Sequence, residues 1–179
     1  MNNITIKHSE EAGIGGTLVV RSFPKGIIGR YLDSGMTISE AIQAAINAGL
    51  QTDVVAEHNL VVTAGKTLVG NLMTGKGSTG LTYIGIGTGT TAAALGDTKL
   101  QTEVRRKAIT DKVVAGATIT LSSFFLASES TYSIQEIGFF GALASAVANS
   151  GTLFSRTLLA YNNTSGTHDL TFEYTLTIT

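Results

Sequence analysis

The stretch DLTFEYTLTIT (169–179) puts Leu170, Phe172, Tyr174, Leu176 and Ile178 on one side and Thr171, Glu173, Thr175, Thr177 and Thr179 on the other. Successive side chains of a strand point to opposite faces, so this period of two predicts a half-buried β-strand; an amphipathic helix would repeat at three and four. Upstream, ATITLSSFFLAS (117–128), TYSIQEIGFFG (131–141) and GTLFSRTLLAY (151–161) are rich in β-branched and aromatic residues and are separated by clusters of turn-forming residues. The second half of the chain therefore reads as an antiparallel sheet.

Toward the N-terminus the pattern is mixed. Strands are expected at 17–23, 53–62 and 81–89, and EVRRKAIT (103–110) followed by DKVVAGATITLSSFFLAS (111–128) reads as a hairpin with its connection near 114–117. In TISEAIQAAINAG (37–49), Thr37 and Glu40 have capping-box spacing, Ile38, Ile42, Ala45 and Ile46 form one stripe, and Gly49 supplies a stop, which together predict a helix. TAGKTLVGNLMTG (63–75) predicts a second, short one, weakened by Gly65 and Gly70 at about 1 kcal/mol each relative to alanine. One helical turn is expected after Asp97. Residues 1–16 mix polar groups with GIGG (13–16) and read as an extended arm able to order on a neighbour, with Ile4, Ile6, His8 and Ile14 as candidate docking residues. The expected fold is mainly β: a jelly-roll-like antiparallel β-sandwich with two short helices, forming one domain over 17–179 with a helix-bearing insertion at about 24–52, preceded by the extended N-terminal arm.

Composition narrows the function classes. Charged residues are 14% of the 179, against about 25% in an average domain, so part of the surface is expected to be shared with partners. A net charge of −1 supplies no general field for nucleic acid or an anionic membrane, and neither is expected as a partner. With no cysteine, disulfides, thiolate chemistry and Cys-ligated metals are excluded. No apolar run reaches the roughly 18 residues of a spanning helix, and the first 20 residues lack a basic start with an apolar core, so a soluble, unprocessed intracellular product is expected.

Candidate chemistry is sparse. IGIGTGT (84–90) places Gly85, Gly87 and Gly89 in alternation but lacks the third glycine and the following helix of a dinucleotide fingerprint, so it reads as a strand ending in a close backbone approach. His8, His58 and His168 are scattered without ligand spacing, and no Gly-x-Ser-x-Gly turn accompanies them, so neither a metal site, a cofactor nor a triad is expected. Glycoside hydrolysis would need two acids about 5 to 10 Å apart across a groove, and Glu129, Glu136 and Glu173 are the carboxylates on or near strands. Glu136, inside the apolar run IQEIGFFG, needs a partner if buried, and Arg105, Arg106 and Arg156 are the candidates. On a strand Arg105 and Lys107 share a face while Arg106 takes the other, so the three do not form one basic patch. A glycan-binding module would gather exposed aromatics at one loop end, with Tyr31, Tyr83, Tyr132 and Tyr161 available.

Several segments in order, NLVVTAGK (59–66), YIGIGTGTTAAALGDTKLQTEV (83–104), RKAIT (106–110), IQEIGFFG (134–141) and GTLFSRTLL (151–159), resemble small virion structural proteins of tailed bacteriophages. The most specific parts are IGTGTTA…GDT…L…E and the pair E-x-G-x-F…G-x-L-F-x-R. The resemblance spans about 17–22 and 53–179; the segment 24–52 and the arm depart from it. It implies a non-enzymatic β-sandwich module that oligomerises in the virion, as a homotrimer or else a dimer, after synthesis in the host bacterial cytoplasm. The implied place is the tail, as a fibre, baseplate or neck component; a capsid decoration (cement) protein and a glycan-binding adsorption module are the alternatives. The implied partners are other virion proteins such as the major capsid, tail or neck proteins, and Glu136 and Arg156 match the family's acidic and basic positions, as a structural ion pair.

Overall fold

The computed structural model describes residues 14–77 and 79–178. Within them the order is β1 (Ile14–Pro24), α1 (Ile27–Asp33), α2 (Ile38–Asn47), β2 (Asp53–Val61), α3 (Thr63–Met73), β3 (Leu81–Gly87), β4 (Glu103–Ala108), β5 (Asp111–Ala115), β6 (Thr118–Phe125), β7 (Ser133–Gly141), β8 (Thr152–Asn162) and β9 (His168–Ile178), with a 3₁₀ turn at Ala127–Glu129. The strands form one antiparallel sheet in the order β4-β3-β7-β8-β2-β1-β9-β6-β5. Its two end strands are consecutive in the chain, separated by Ile109 and Thr110 alone. The amides of those two residues carry the pairing across, to Thr82 O at 2.8 Å and Ser122 O at 3.3 Å. A sheet whose first and last strands are linked by two residues has to curl, and it does so into a half-barrel.

The hydrogen bonding corrects the expectation of two separate sheets. β2 pairs with β1 along most of its length and with β8 at Leu60 and Val61, so it joins the two halves. The expected hairpin is β5–β6, turning at Gly116 (φ 60°), while β4 pairs with β3. Curling brings Phe139 of β7 onto Tyr174 of β9, with ring centroids 4.3 Å apart. Around this stack lies the main core, which includes Leu18, Val20, Ile84, Ile137, Phe154 and Phe172.

Ile14, expected in the arm, is the first residue of β1 and sits opposite Ile178 of β9. Of the glycines assigned to the extended arm, Gly16 serves packing. A Cβ on Gly16 would lie 2.2 Å from the Tyr174 ring, so the bare backbone makes room for the buried aromatic. Ile4, Ile6 and His8 lie outside the described residues.

Burial pushes the Tyr174 phenol from its ordinary 10.0 up to about 12, against the opposing effect of the hydrogen bond that Asn59 Nδ2 donates to it at 2.6 Å. The folded chain thus holds the neutral phenol. Stability should be flat with respect to this group below about pH 10 and fall by about 3 kcal/mol as the pH rises from there through about 12. Urea titrations across that window, run beside Tyr174→Phe, check this; an equally steep fall in the variant would assign the loss elsewhere.

Among the described residues three helices, not two, decorate the sheet. α1 was missed because seven residues are too few for a stripe to emerge. It is started from outside, by Gly26 at φ 83° and by buried Asp169, which accepts from Gly26 N at 2.7 Å and from Ala127 N at 2.9 Å. α2 carries its capping box: Thr37 N donates to Glu40 Oε2 at 2.9 Å, and Glu40 N to Thr37 Oγ1 at 3.2 Å. Together they bury Ile28, Ile38, Ala41 and Ile42 against Phe23 of β1, with Phe124 of β6 at the margin, as a small second core on the outer face of the sheet. No helix forms after Asp97; that carboxylate accepts from Ala94 N and from Arg156 instead. A third cluster, Val62, Leu100, Phe140 and Leu153, lies on the outer face of the other half of the sheet, with Ala64 of α3 and Ala144 packed against it.

Candidate functional site: two surface loops shaped by buried charge

β-bulges in β7 and β8 set the face on which the charged residues lie. The register slips between Ile134 and Glu136, so Ile134, Ile137 and Phe139 all enter the main core while Glu136 faces the outer side. There it meets Arg156 of β8. Glu136 is fully buried and Arg156 is 3% exposed; Arg156 Nε donates to Glu136 Oε2 at 2.8 Å.

A buried carboxylate needs several donors to offset desolvation, and Glu136 has them. Its Oε1 accepts from Gly89 N (3.1 Å) and Thr102 N (2.7 Å), and its Oε2 also accepts from Gln101 N (2.9 Å). Arg156 completes the assembly, donating to Thr91 O (2.8 Å), Ala92 O (3.3 Å) and Asp97 Oδ2 (3.0 Å). Both ends of the 88–102 loop and its middle are thus tied to one ion pair. The glycine alternation in IGIGTGT acquires its reason here: a Cβ on Gly87 or Gly89 would stand 2.6 or 2.5 Å from Glu136 Oε1. The arrangement binds backbone, and its donors and acceptors are used within the chain.

A second buried pair acts beside it. Glu103 and Arg106 of β4 form a two-pronged contact at 2.5 and 2.9 Å. The Arg106 guanidinium lies 4.3 Å from the Phe140 ring centroid and donates to Ser145 O, Ser150 O and Ser150 Oγ, while Glu103 Oε2 accepts from Asn149 N at 2.7 Å. These bonds hold the 142–151 loop, in which Ala142, Leu143 and Asn149 take positive φ (44°, 67° and 56°). Such backbone costs on the order of 1–3 kcal/mol per residue and persists where surrounding contacts enforce it. The held loop presents Leu143 at 85% and Val147 at 69% exposure; Leu95 on the first loop and Met73 at the end of α3 are also exposed. Glu103→Gln should loosen this loop at a cost of about 1–3 kcal/mol and speed proteolysis within 142–151. Equal cleavage rates in variant and parent would show that other contacts hold it.

Among the carboxylates weighed from sequence, each has its own cation: Glu136 has Arg156, Glu173 has Arg21, and Glu129 has Lys107 and Arg105. Burial works to raise the Glu129 carboxyl, but hydrogen bonds from Lys107, the Leu126 amide and Arg105 outweigh it and hold it low. Arg105 and Lys107 do share one face of β4 and Arg106 the other. The four tyrosines are dispersed: Tyr31 packs on the α1–α2 core, Tyr83 on the outer cluster, and Tyr132 and Tyr161 on the main core, so they form no single aromatic surface. Nothing in the sequence signals the roles that Glu103, Asp97 and Asp169 take, because a charged residue on a short strand or in a loop looks solvated until the fold shows what covers it. Among the described residues no cluster of three potential metal-ligating acids or histidines occurs, and no helix is long and apolar enough to cross a membrane. In comparison with known proteins, no family model matches the chain, and neither a curated protein nor a solved structure does.

Proposed function

We propose that this chain is a non-enzymatic structural protein of a tailed-bacteriophage virion, a sandwich-like module built on the curled sheet that docks on its own copies and on other virion proteins. The observation that carries the reading is the convergence of its motifs. Gly89, Thr91, Ala92 and Asp97 of IGTGTTA…GDT…L…E meet Glu136 and Arg156 of E-x-G-x-F…G-x-L-F-x-R, and together they shape a surface loop, while Glu103 at the end of the first motif pairs with Arg106 beside it. Beside that loop a strained segment is held so as to present exposed leucine and valine, an arrangement suited to contact with another protein surface. A tail component (fibre, baseplate or neck) is the favoured address and a capsid decoration protein the alternative, with a homotrimer as the expected assembly.

Light scattering of the purified chain should give the mass of three chains, and added chain should return to virions stripped of it, with electron microscopy showing where. Leu143→Asp should weaken that association without unfolding, since aspartate tolerates positive φ better than leucine. A monomer that rebinds no virion part overturns the proposal.

A further inference from the structure

β2 and β8 pair for two registers only, Leu60 with Arg156 and Val61 with Ser155, and just beyond them the Thr157 hydroxyl donates to His58 O at 2.8 Å. From there the strands part, β2 following β1 and β8 following β7. The opening is a polar cleft with about 400 Å³ of space, open to solvent along the exposed side chains of Thr52, Asp53 and Asn162. Thr52 and Asp53 line it from the β2 side and Tyr161 and Asn162 from the β8 side, with Ser165 of the β8–β9 turn and His168 at the start of β9.

Three of these side chains are anchored by one atom and offer another. Asp53 Oδ1 accepts from Val54 N at 2.8 Å, which leaves Oδ2 as an acceptor. Asn162 Oδ1 accepts from Thr164 N at 3.0 Å, which leaves its amide NH₂ as a donor. His168 Nδ1 is bonded to the Thr167 hydroxyl at 3.0 Å, which leaves Nε2. Groups oriented in advance lose little freedom on binding a ligand. Tyr161 adds an aromatic ring, and burial raises its phenol, so it remains neutral at ordinary pH.

The charge pattern selects the ligand. No lysine or arginine lines the cavity and one carboxylate does, which disfavours an anion. A single carboxylate with one imidazole is a poor set for a hard divalent cation. Mixed acceptors and donors beside a ring suit groups that both donate and accept, carried on a compact scaffold with an apolar face.

We propose that the cleft between β2 and β8 binds a neutral sugar residue, with Asp53 and Asn162 hydrogen-bonding its hydroxyls and the Tyr161 ring supporting its C–H face. This binding holds whether or not the chain belongs to a virion, and it is read out without one.

The test is a titration of the ¹⁵N-labelled full chain with glucose, galactose, mannose and N-acetylglucosamine in turn, with inorganic phosphate as the anionic control, followed by amide NMR shifts. At least one sugar should move the amides of Thr52, Asp53, Asn162, Ser165 and His168, and phosphate should not. Asp53→Asn and Tyr161→Ala should each weaken that sugar about tenfold, the loss expected for a hydrogen bond to a charged group or a lost ring contact. Asp53→Asn keeps the side-chain oxygen that caps Val54, so an unchanged spectrum away from the cleft verifies its fold. No response to any of the four sugars, shifts confined to another surface, or undiminished binding by both variants would overturn the assignment.

Discussion

Glu136→Ala should cost this protein about 3–5 kcal/mol, the loss typical of stripping the partner from a buried charge. A domain of this size has on the order of 5–15 kcal/mol in total, so the variant should unfold at a urea concentration lower by about 2 M. The reason is the number of groups served by one carboxylate: the amides of Gly89, Gln101 and Thr102 and the guanidinium of Arg156 all lose their acceptor together. Glu136→Gln, which keeps an oxygen but removes the charge, should lose less, about 2 kcal/mol. Replacing a buried ion pair by apolar residues of similar volume is often nearly neutral. Here Glu136→Leu with Arg156→Met should remain well below the parent, because three backbone N–H groups are still orphaned. Hydrogen exchange should quicken at Gly89, Gln101 and Thr102 before it does in β9. A double variant as stable as the parent would show that those amides find other partners and that the pair does not shape the loop.

Gly65→Ala and Gly70→Ala, two changes in one helix, should move stability in opposite directions. Helix propensity favours alanine at both sites by about 1 kcal/mol. At Gly70 nothing lies within 4 Å of the added Cβ, so Gly70→Ala should deliver that gain. At Gly65 the Cβ would lie 2.1 Å from Phe154 O, on the backbone of β8, which has little freedom to yield. α3 would have to lift off the strand, and overpacking of this kind costs about 3 kcal/mol. A net loss of about 2 kcal/mol is therefore expected after the propensity gain is subtracted. Paired denaturation curves decide it; stabilisation by both substitutions would mean that α3 does not pack on β8 at Gly65.

Those two glycines show where reading the chain alone stops. Both look like the same weakness in a short helix, and the difference between them lies in the Phe154 carbonyl, 89 positions beyond Gly65 in sequence. The same holds for Gly16, placed by the sequence in an extended arm, which clears space for a ring of β9. Glu136 was singled out because a carboxylate in an apolar run needs a partner, which is a local argument. Residue chemistry left three arginines open as that partner, and the pair seen is Glu136 with Arg156. Glu103 and Arg106 carried no such signal, since alternation on a six-residue strand does not reveal that a loop folds over one face.

The period of two in 169–179, the stripe and capping box of α2 and the hairpin turn near Gly116 are legible from neighbouring residues, because pleat, helical pitch and turn chemistry act over a few positions. Leu170, Phe172, Tyr174 and Leu176 are all buried, as that alternation requires, while Ile178 at the strand's end is exposed and Thr171 of the opposite face is covered as well. One curled sheet or two facing ones is a different kind of question. It depends on whether β2 bridges β1 and β8 and on the two residues between β4 and β5, pairings between segments far apart in the chain that no short window of sequence encodes. The surface loops follow from the same cause. Their shapes come from carboxylates and guanidinium groups on distant strands, which act only after the sheet has curled and removed them from water.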